Sequence, residues 1–236
     1  MCGQMSKMPF DTTCQRASLT YNEKMKNRDY KEFAKGTISH IYNRGNNKEK
    51  IFFDEQDYKA FLFRIGLGLG FEPEELLEHK LLSLHYSRIR IDSSKNFFKL
   101  YSFCLMPNHF HLLLEQNSDI SISSLISKVC TSYAKYINQK YKRVGHLFQD
   151  QFKAVLIEDN PQLMWTSAYI HMNPVKDGLV KSPEKYSWSS YQDITEKRNL
   201  PIVTKNFSIE LFGDIQSFEK ETLNYFSKEN DVKDAL

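Results

Sequence analysis

Two hydrophobic periods divide this chain into strands and helices. From Thr37 to Asn43 the positions alternate, with Ile38, His40 and Tyr42 set against Ser39, Ile41 and Asn43, the period of a half-buried strand. Arg44-Gly45-Asn46-Asn47 has the composition of a turn. Asp54 is placed to cap a helix over Glu55 to about Leu67, with Tyr58, Phe61, Leu62 and Ile65 on one face. Gly66, Gly68 and Gly70 are predicted to break it, and they do not follow a strand as a dinucleotide fingerprint would. A short helix over Glu74–Leu82 follows in a charged, mixed stretch. Phe97–Met106 and Asn108–Gln116 read as two strands joined by a tight turn. Ser121 to about Lys142 is an amphipathic helix carrying Ile122, Leu125, Ile126, Val129, Tyr133, Tyr136 and Ile137, and Gly145 ends it. Phe148–Glu158 alternates as a fourth strand. Pro161 marks a helix start, and that helix, Gln162 to about Met172, is predicted to stop before Pro174. Further on, Trp188 and Tyr191 are expected to pack back on the body, and Phe207–Phe226 to form one more helix.

The order strand, helix, strand, strand, helix, strand is the β-α-β-β-α-β plan of a ferredoxin-like α+β sandwich. It predicts an antiparallel sheet with helices on one face, the first and third strands central, and an additional helix after the fourth strand. Residues 1–34 are polar and without period and are expected to form a flexible arm. The core domain is expected over 35–192, with an insertion at about 70–95, and a helical extension over 193–236.

Composition narrows the picture modestly. At 236 residues, 41% hydrophobic and 26% charged, the chain suits one globular domain with embellishments. A formal net charge of +3 is too small to demand a polyanion. Thirteen tyrosines and seventeen phenylalanines suit stacking on single-stranded bases, and they suit any core equally. Cys2, Cys14, Cys104 and Cys130 match no zinc spacing and read as reduced. No apolar run has the length of a membrane span, and Met1–Arg16 lacks the order of a signal peptide. A cytoplasmic protein without membrane contact is expected.

Candidate chemistry centres on Met106-Pro107-Asn108-His109-Phe110-His111-Leu112-Leu113-Leu114-Glu115. On a strand, His109 and His111 stand on one face, with Phe110, Leu112 and Leu114 on the other. Two parallel imidazoles can bind one metal ion but supply only two ligands. The helix near Pro174 carries Tyr169 and Asn173 four residues apart, a hydroxyl and an amide oxygen one turn from each other. An ordinary reading stays open beside this: strand histidines half in solvent, a packed tyrosine, and an asparagine that ends a helix.

Taken in order, these motifs resemble the single-tyrosine HUH transposases, and more closely the REP-associated tyrosine transposases. His40-Ile41-Tyr42-Asn43-Arg44-Gly45-Asn46, Gly145-His146-Leu147-Phe148-Gln149-Asp150-Gln151-Phe152-Lys153 and Trp188-Ser189-Ser190-Tyr191 fit as well, so the resemblance runs from about Thr37 to Tyr191. It departs where the family carries Arg before Phe152 and this chain has Gln151, and where Glu72–Ser94 exceeds the compact members. The resemblance implies a metal-dependent single-strand DNA endonuclease and strand transferase working through a 5′-phosphotyrosine at hairpin or repeat sequences. Tyr169 would be the nucleophile, and His109, His111 and Asn173 would hold Mg²⁺ or Mn²⁺. A homodimer is implied too. The DNA partner, single-stranded or hairpin, has candidate contacts in Lys135, Lys140, Lys142, Arg143 and Lys153, which face Asp150 alone among acidic neighbours, and in Arg44 and Gln149. The basic cluster at the helix end could equally complement the helix dipole. Two other readings remain: a non-cleaving hairpin-binding protein, and a hydrolytic metallo-nuclease in which water attacks.

Overall fold

The computed structural model describes residues 33–81 and 95–233. Its elements are β1 (Ile38–Arg44), α1 (Glu55–Gly68), α2 (Pro73–Glu78), β2 (Phe98–Met106), β3 (His109–Gln116), α3 (Ile122–Lys140), β4 (Lys153–Ile157), α4 (Asn160–Lys176), α5 (Tyr191–Ile194), α6 (Lys205–Phe212) and α7 (Ile215–Lys233). The arm expected over residues 1–34 falls almost wholly outside the described residues, as does the stretch 82–94 of the expected insertion.

The four strands form one antiparallel sheet in the order β2-β3-β1-β4. The first and third strands are therefore central, as the ferredoxin-like plan requires. Alternation along β3 sends Phe110, Leu112 and Leu114 into the main core with Ile41 of β1 and the apolar faces of α1 and α3. On β2 a register shift between Leu100 and Ser102 resets the alternation. Phe98 and Leu100 before it, and Phe103 and Leu105 after it, all reach that core. The opposite face of the sheet is covered by α4. Tyr101, Cys104, Met106 and Leu113 pack there against Leu163 and Ile170, and Ser102 Oγ lies 3.0 Å from Ser167 Oγ.

Local signals explain the helix limits. Asp54 caps α1 by accepting from Asp57 N, and the Asp57 side chain accepts from Asp54 N in return. Gly66 and Gly68 do not break that helix. Gly66 is tolerated because its bare Cα lets α1 pack closely: a Cβ there would come within 2.5 Å of Leu76 Cδ2. Only Gly70, at φ 89°, closes the helix. Trp188 stacks on Tyr58 at 4.5 Å, Leu105 N donates to Trp188 O, and Tyr191 is buried, so this segment packs back on the body.

Three elements depart from the periodic reading. The strand expected over Phe148–Glu158 begins only at Lys153. Before it residues 149–152 bulge out of the ladder, with Asn43 Nδ2 donating to Asp150 O (3.1 Å), and pairing resumes as one antiparallel bridge between Gly45 and Phe148, made by Gln149 N to Arg44 O (2.9 Å) and Asn46 N to Leu147 O (2.9 Å). Alternation alone does not reveal this interruption. The helix expected to stop before Pro174 continues to Lys176. Proline removes one N–H from the ladder, and the Asn173 side-chain amide donates to Tyr169 O (2.7 Å) at that turn. Pro174 O in turn accepts from Leu179 N (2.9 Å). Lastly, the single helix expected over Phe207–Phe226 is two, α6 and α7, with Gly213 at φ 93° between them.

Among the described residues, no helix is long and apolar enough to cross a membrane.

Candidate nucleic-acid processing site

The strand pairing builds the site on the face of the sheet away from the α1–α3 core. Tyr42 lies opposite His111 and Arg44 opposite His109 across β1 and β3. His40 is one pair further along, so it reaches His111 on the diagonal. From above, α4 brings Tyr169, Asn173 and Lys176 onto the same side. The result is a cavity of about 410 Å³ lined by Tyr42, Arg44, His109, His111, Tyr169 and Asn173, with Lys153, Lys176, Asp177 and the loop 149–151 at its edges.

The two histidines are held differently. Asn108 Nδ2 donates to Lys48 O (3.1 Å), which turns Asn108 Oδ1 toward His109 Nδ1 at 2.7 Å. That oxygen can only accept, so His109 carries its proton on Nδ1 and keeps the Nε2 lone pair. His111 Nδ1 lies 2.8 Å from His40 Nε2, and the two rings stack with centroids 5.0 Å apart. His111 Nε2 is buried and makes no hydrogen bond. Burial is the main cause that pushes all three imidazoles toward the neutral form. His40 falls to about 3 and His111 well below its usual range; His109 falls to about 4, opposed by Asp177 and helped by Arg44. Neutral imidazole is the ligating form.

Tyr169 stands edge-on to His111, with ring centroids 5.5 Å apart, and stacks on Trp165 at 5.4 Å. Lys176 Nζ is 5.8 Å from the centre of the Tyr169 ring. Because Asn173 points its NH₂ at a carbonyl, its amide oxygen is the end left for the cavity. Among the described residues no three His, Cys, Asp or Glu side chains group into a metal cage. The donors present, two imidazoles and one amide oxygen, nonetheless fit a divalent ion that keeps several positions open for oxygen ligands. The unpartnered His111 Nε2 is the observation that favours this fit.

The expected DNA contacts separate into two groups. Arg44, Gln149 and Lys153 line the cavity with His109 and His111. Gln149 also lines a larger adjoining groove of about 800 Å³, together with Lys135. Lys140 lies elsewhere, bonded to Asp54 Oδ2 (2.7 Å) and Asp57 Oδ1 (2.8 Å), and Arg143 pairs with Glu49 at 3.3 Å. Lys142 is exposed and lines neither space. Lys140 thus ties the end of α3 to the start of α1, and Arg143 ties the following turn to Glu49, an outcome spacing does not show. The sequence motifs include His40, Tyr42 and Gln151 but give them no place in the site, and they do not point to Lys176 or Asp177. Lys176 shares the helical face of Tyr169 and Asn173 by spacing, and it was lost only because the helix was expected to stop at Pro174.

Comparison with known proteins agrees with this architecture. A family model described as Transposase IS200 like matches residues 74–173, a range that includes both histidines, Tyr169 and Asn173. A Haemophilus influenzae protein assigned as a REP-associated tyrosine transposase is 33% identical over 106 residues, 40% of this chain and 59% of that protein. The match therefore spans less than two thirds of the relative's length. Among solved structures, a REP-associated tyrosine transposase bound to a REP hairpin has a TM-score of 0.52 at 16% identity, covering 75% of this chain and 89% of that chain. The resemblance read from the motifs is borne out in sequence, and the four-stranded α+β architecture matches in fold.

Proposed function

We propose that this chain cuts and rejoins single-stranded DNA at hairpin or repeat sequences through a covalent link to Tyr169. The observation that carries this reading is one cavity lined by Tyr169, His109, His111 and Asn173, from two elements far apart in sequence. Its volume falls in the usual range for ligand pockets, about 300–1,000 Å³. The family match supports a DNA-processing activity, and the hairpin bound by the solved relative supports the class of substrate.

In this reading Arg44, Lys153 and Lys176 draw the phosphate into the cavity against the two carboxylates of Asp150 and Asp177. His109, His111 and Asn173 would hold a divalent ion, Mg²⁺ or Mn²⁺. Bound there, such an ion supplies positive charge that reduces the repulsion between the phosphate oxygens and an attacking oxygen. The Tyr169 hydroxyl oxygen bonds to phosphorus and the bond to the 3′-oxygen breaks. The phenolic proton is lost and the 3′-oxygen gains one, so a 5′-phosphotyrosine and a free 3′-hydroxyl result. Attack of a 3′-hydroxyl on the same phosphorus reverses the step and needs no ATP, because the link conserves the phosphodiester.

The test is a labelled hairpin strand incubated with the chain and Mn²⁺, resolved on a denaturing gel. A protein-linked product is expected. Free fragments alone would instead indicate hydrolysis by water, and retained binding with no product would indicate a hairpin-binding protein. A homodimer is part of the proposal, and a fully active monomer in light scattering at micromolar concentration would refute it.

A further inference from the structure

His40 is fully buried on β1, belongs to no role assigned above, and spends its Nε2 on His111. The shared bond of 2.8 Å holds a single proton between two neutral rings, and that proton has two possible owners. If His40 Nε2 carries it, His111 must carry its own proton on Nε2, and that unpartnered nitrogen is an N–H. If His111 Nδ1 carries it, His111 Nε2 presents a lone pair, and the proton of His40 sits on Nδ1. Only the second arrangement makes His111 a ligand.

We infer that His40 is a positioning residue: it accepts the Nδ1 proton of His111 and so keeps the Nε2 lone pair of His111 available to a divalent cation. This inference rests on the metal-dependent reading above. It parallels the contact made to the other histidine, where Asn108 Oδ1 accepts from His109 Nδ1. The two ligands are therefore fixed by two different acceptors, one an amide oxygen and one an imidazole nitrogen. Such partners orient the ring and select its tautomer, and their loss typically costs about 10–100-fold in metal affinity. A purely structural His40 would fill space and stack on His111 and Tyr42 without selecting a tautomer.

Two measurements test this without relying on cleavage. The first is Mn²⁺ affinity, read from the electron paramagnetic resonance signal of free Mn²⁺. His40→Phe keeps a flat ring and removes the acceptor, and a loss of about 10–100-fold is expected. His40→Gln places a carbonyl oxygen near the position of Nε2, and affinity is expected to return to within about threefold of the parent chain. The second is the ¹⁵N shift pattern of the histidines in the metal-free parent, where His111 is expected to be protonated on Nδ1. Equal Mn²⁺ affinity in the parent and His40→Phe, or a His111 protonated on Nε2, overturns the inference while leaving the metal reading intact. If the parent binds no more Mn²⁺ than His111→Ala, the metal reading itself fails and the inference falls with it. The ¹⁵N measurement uses the unaltered chain, so poor folding of His40→Phe does not remove the test.

Discussion

Tyr169 and His111 meet within one chain, edge to face, with ring centroids 5.5 Å apart. One chain therefore holds both the candidate nucleophile and the candidate metal ligand. Mixing Tyr169→Phe with His111→Ala is expected to give no covalent DNA adduct, since neither chain holds a complete site. Adduct formation by the mixture, scored on a denaturing gel, would mean that sites assemble across subunits. Tyr169→Phe alone is expected to keep Mn²⁺ and DNA binding and lose the adduct.

The competing tyrosines are occupied elsewhere. Tyr133 donates to Ile51 O at 2.6 Å and Tyr136 to Asp57 Oδ1 at 3.2 Å, both facing the core. Tyr133→Phe and Tyr136→Phe are expected to form the adduct at the parent's rate. Tyr133→Phe should lose about 1–3 kcal/mol in denaturant unfolding, because Ile51 O is left buried without its donor. A nucleotide attached to a peptide lacking Tyr169, found by mass spectrometry, would reassign the nucleophile.

Removing a ligand should grade with its chemistry. His109→Ala or His111→Ala is expected to abolish cleavage while hairpin binding persists. Asn173→Ala should raise the Mn²⁺ concentration needed and leave cleavage measurable at saturation, because water can replace one neutral oxygen. Chelation of divalent ions should stop the parent chain as well. Cleavage at the normal rate by either histidine variant would remove the metal site.

The basic residues should divide by what they touch. Lys153→Ala and Lys176→Ala are expected to weaken DNA binding and lower the log–log salt slope by about 0.7 each. Lys140→Ala should leave DNA affinity near the parent's. It should instead cost on the order of 2 kcal/mol of stability, since Asp57 is fully buried and loses its ion pair. Salt titrations of binding beside denaturant unfolding separate the two effects.

Acid should destabilise the fold through its buried histidines. His171 is buried, bonds Ser190 Oγ at 2.8 Å, and is held down to about 3 by burial. The unfolded chain takes up that proton below about 6.5, whereas the folded chain does not. Stability from this group is therefore fully present above pH 6.5 and declines as pH falls toward 3. His40, His109 and His111 act in the same direction. Thermal midpoints should drop across that window, and His171→Gln should show a shallower drop. An equal slope would remove His171 from the account.

The sequence by itself determined the strands, the two core helices and the side of β3 on which His109 and His111 stand, because a period of two or 3.6 residues is a local property of the chain. It also placed Tyr169 and Asn173 one turn apart. Only the tertiary structure decided that these two pairs share a cavity, since that depends on α4 crossing the sheet face opposite the main core. Only strand register set His40 beside His111, and register is a relation between segments distant in sequence. The limits of β4 and α4 were also decided there: Asn43 Nδ2 donates to Asp150 O where residues 149–152 bulge out of the ladder, and the Asn173 amide supports the turn that Pro174 weakens. The basic run after Tyr133 shows the same division. Its charges are plain in the sequence, but whether each meets a carboxylate or an open groove is settled by what α1 brings opposite it, where Lys140 meets Asp54 and Asp57 while Lys135 stays on the open groove.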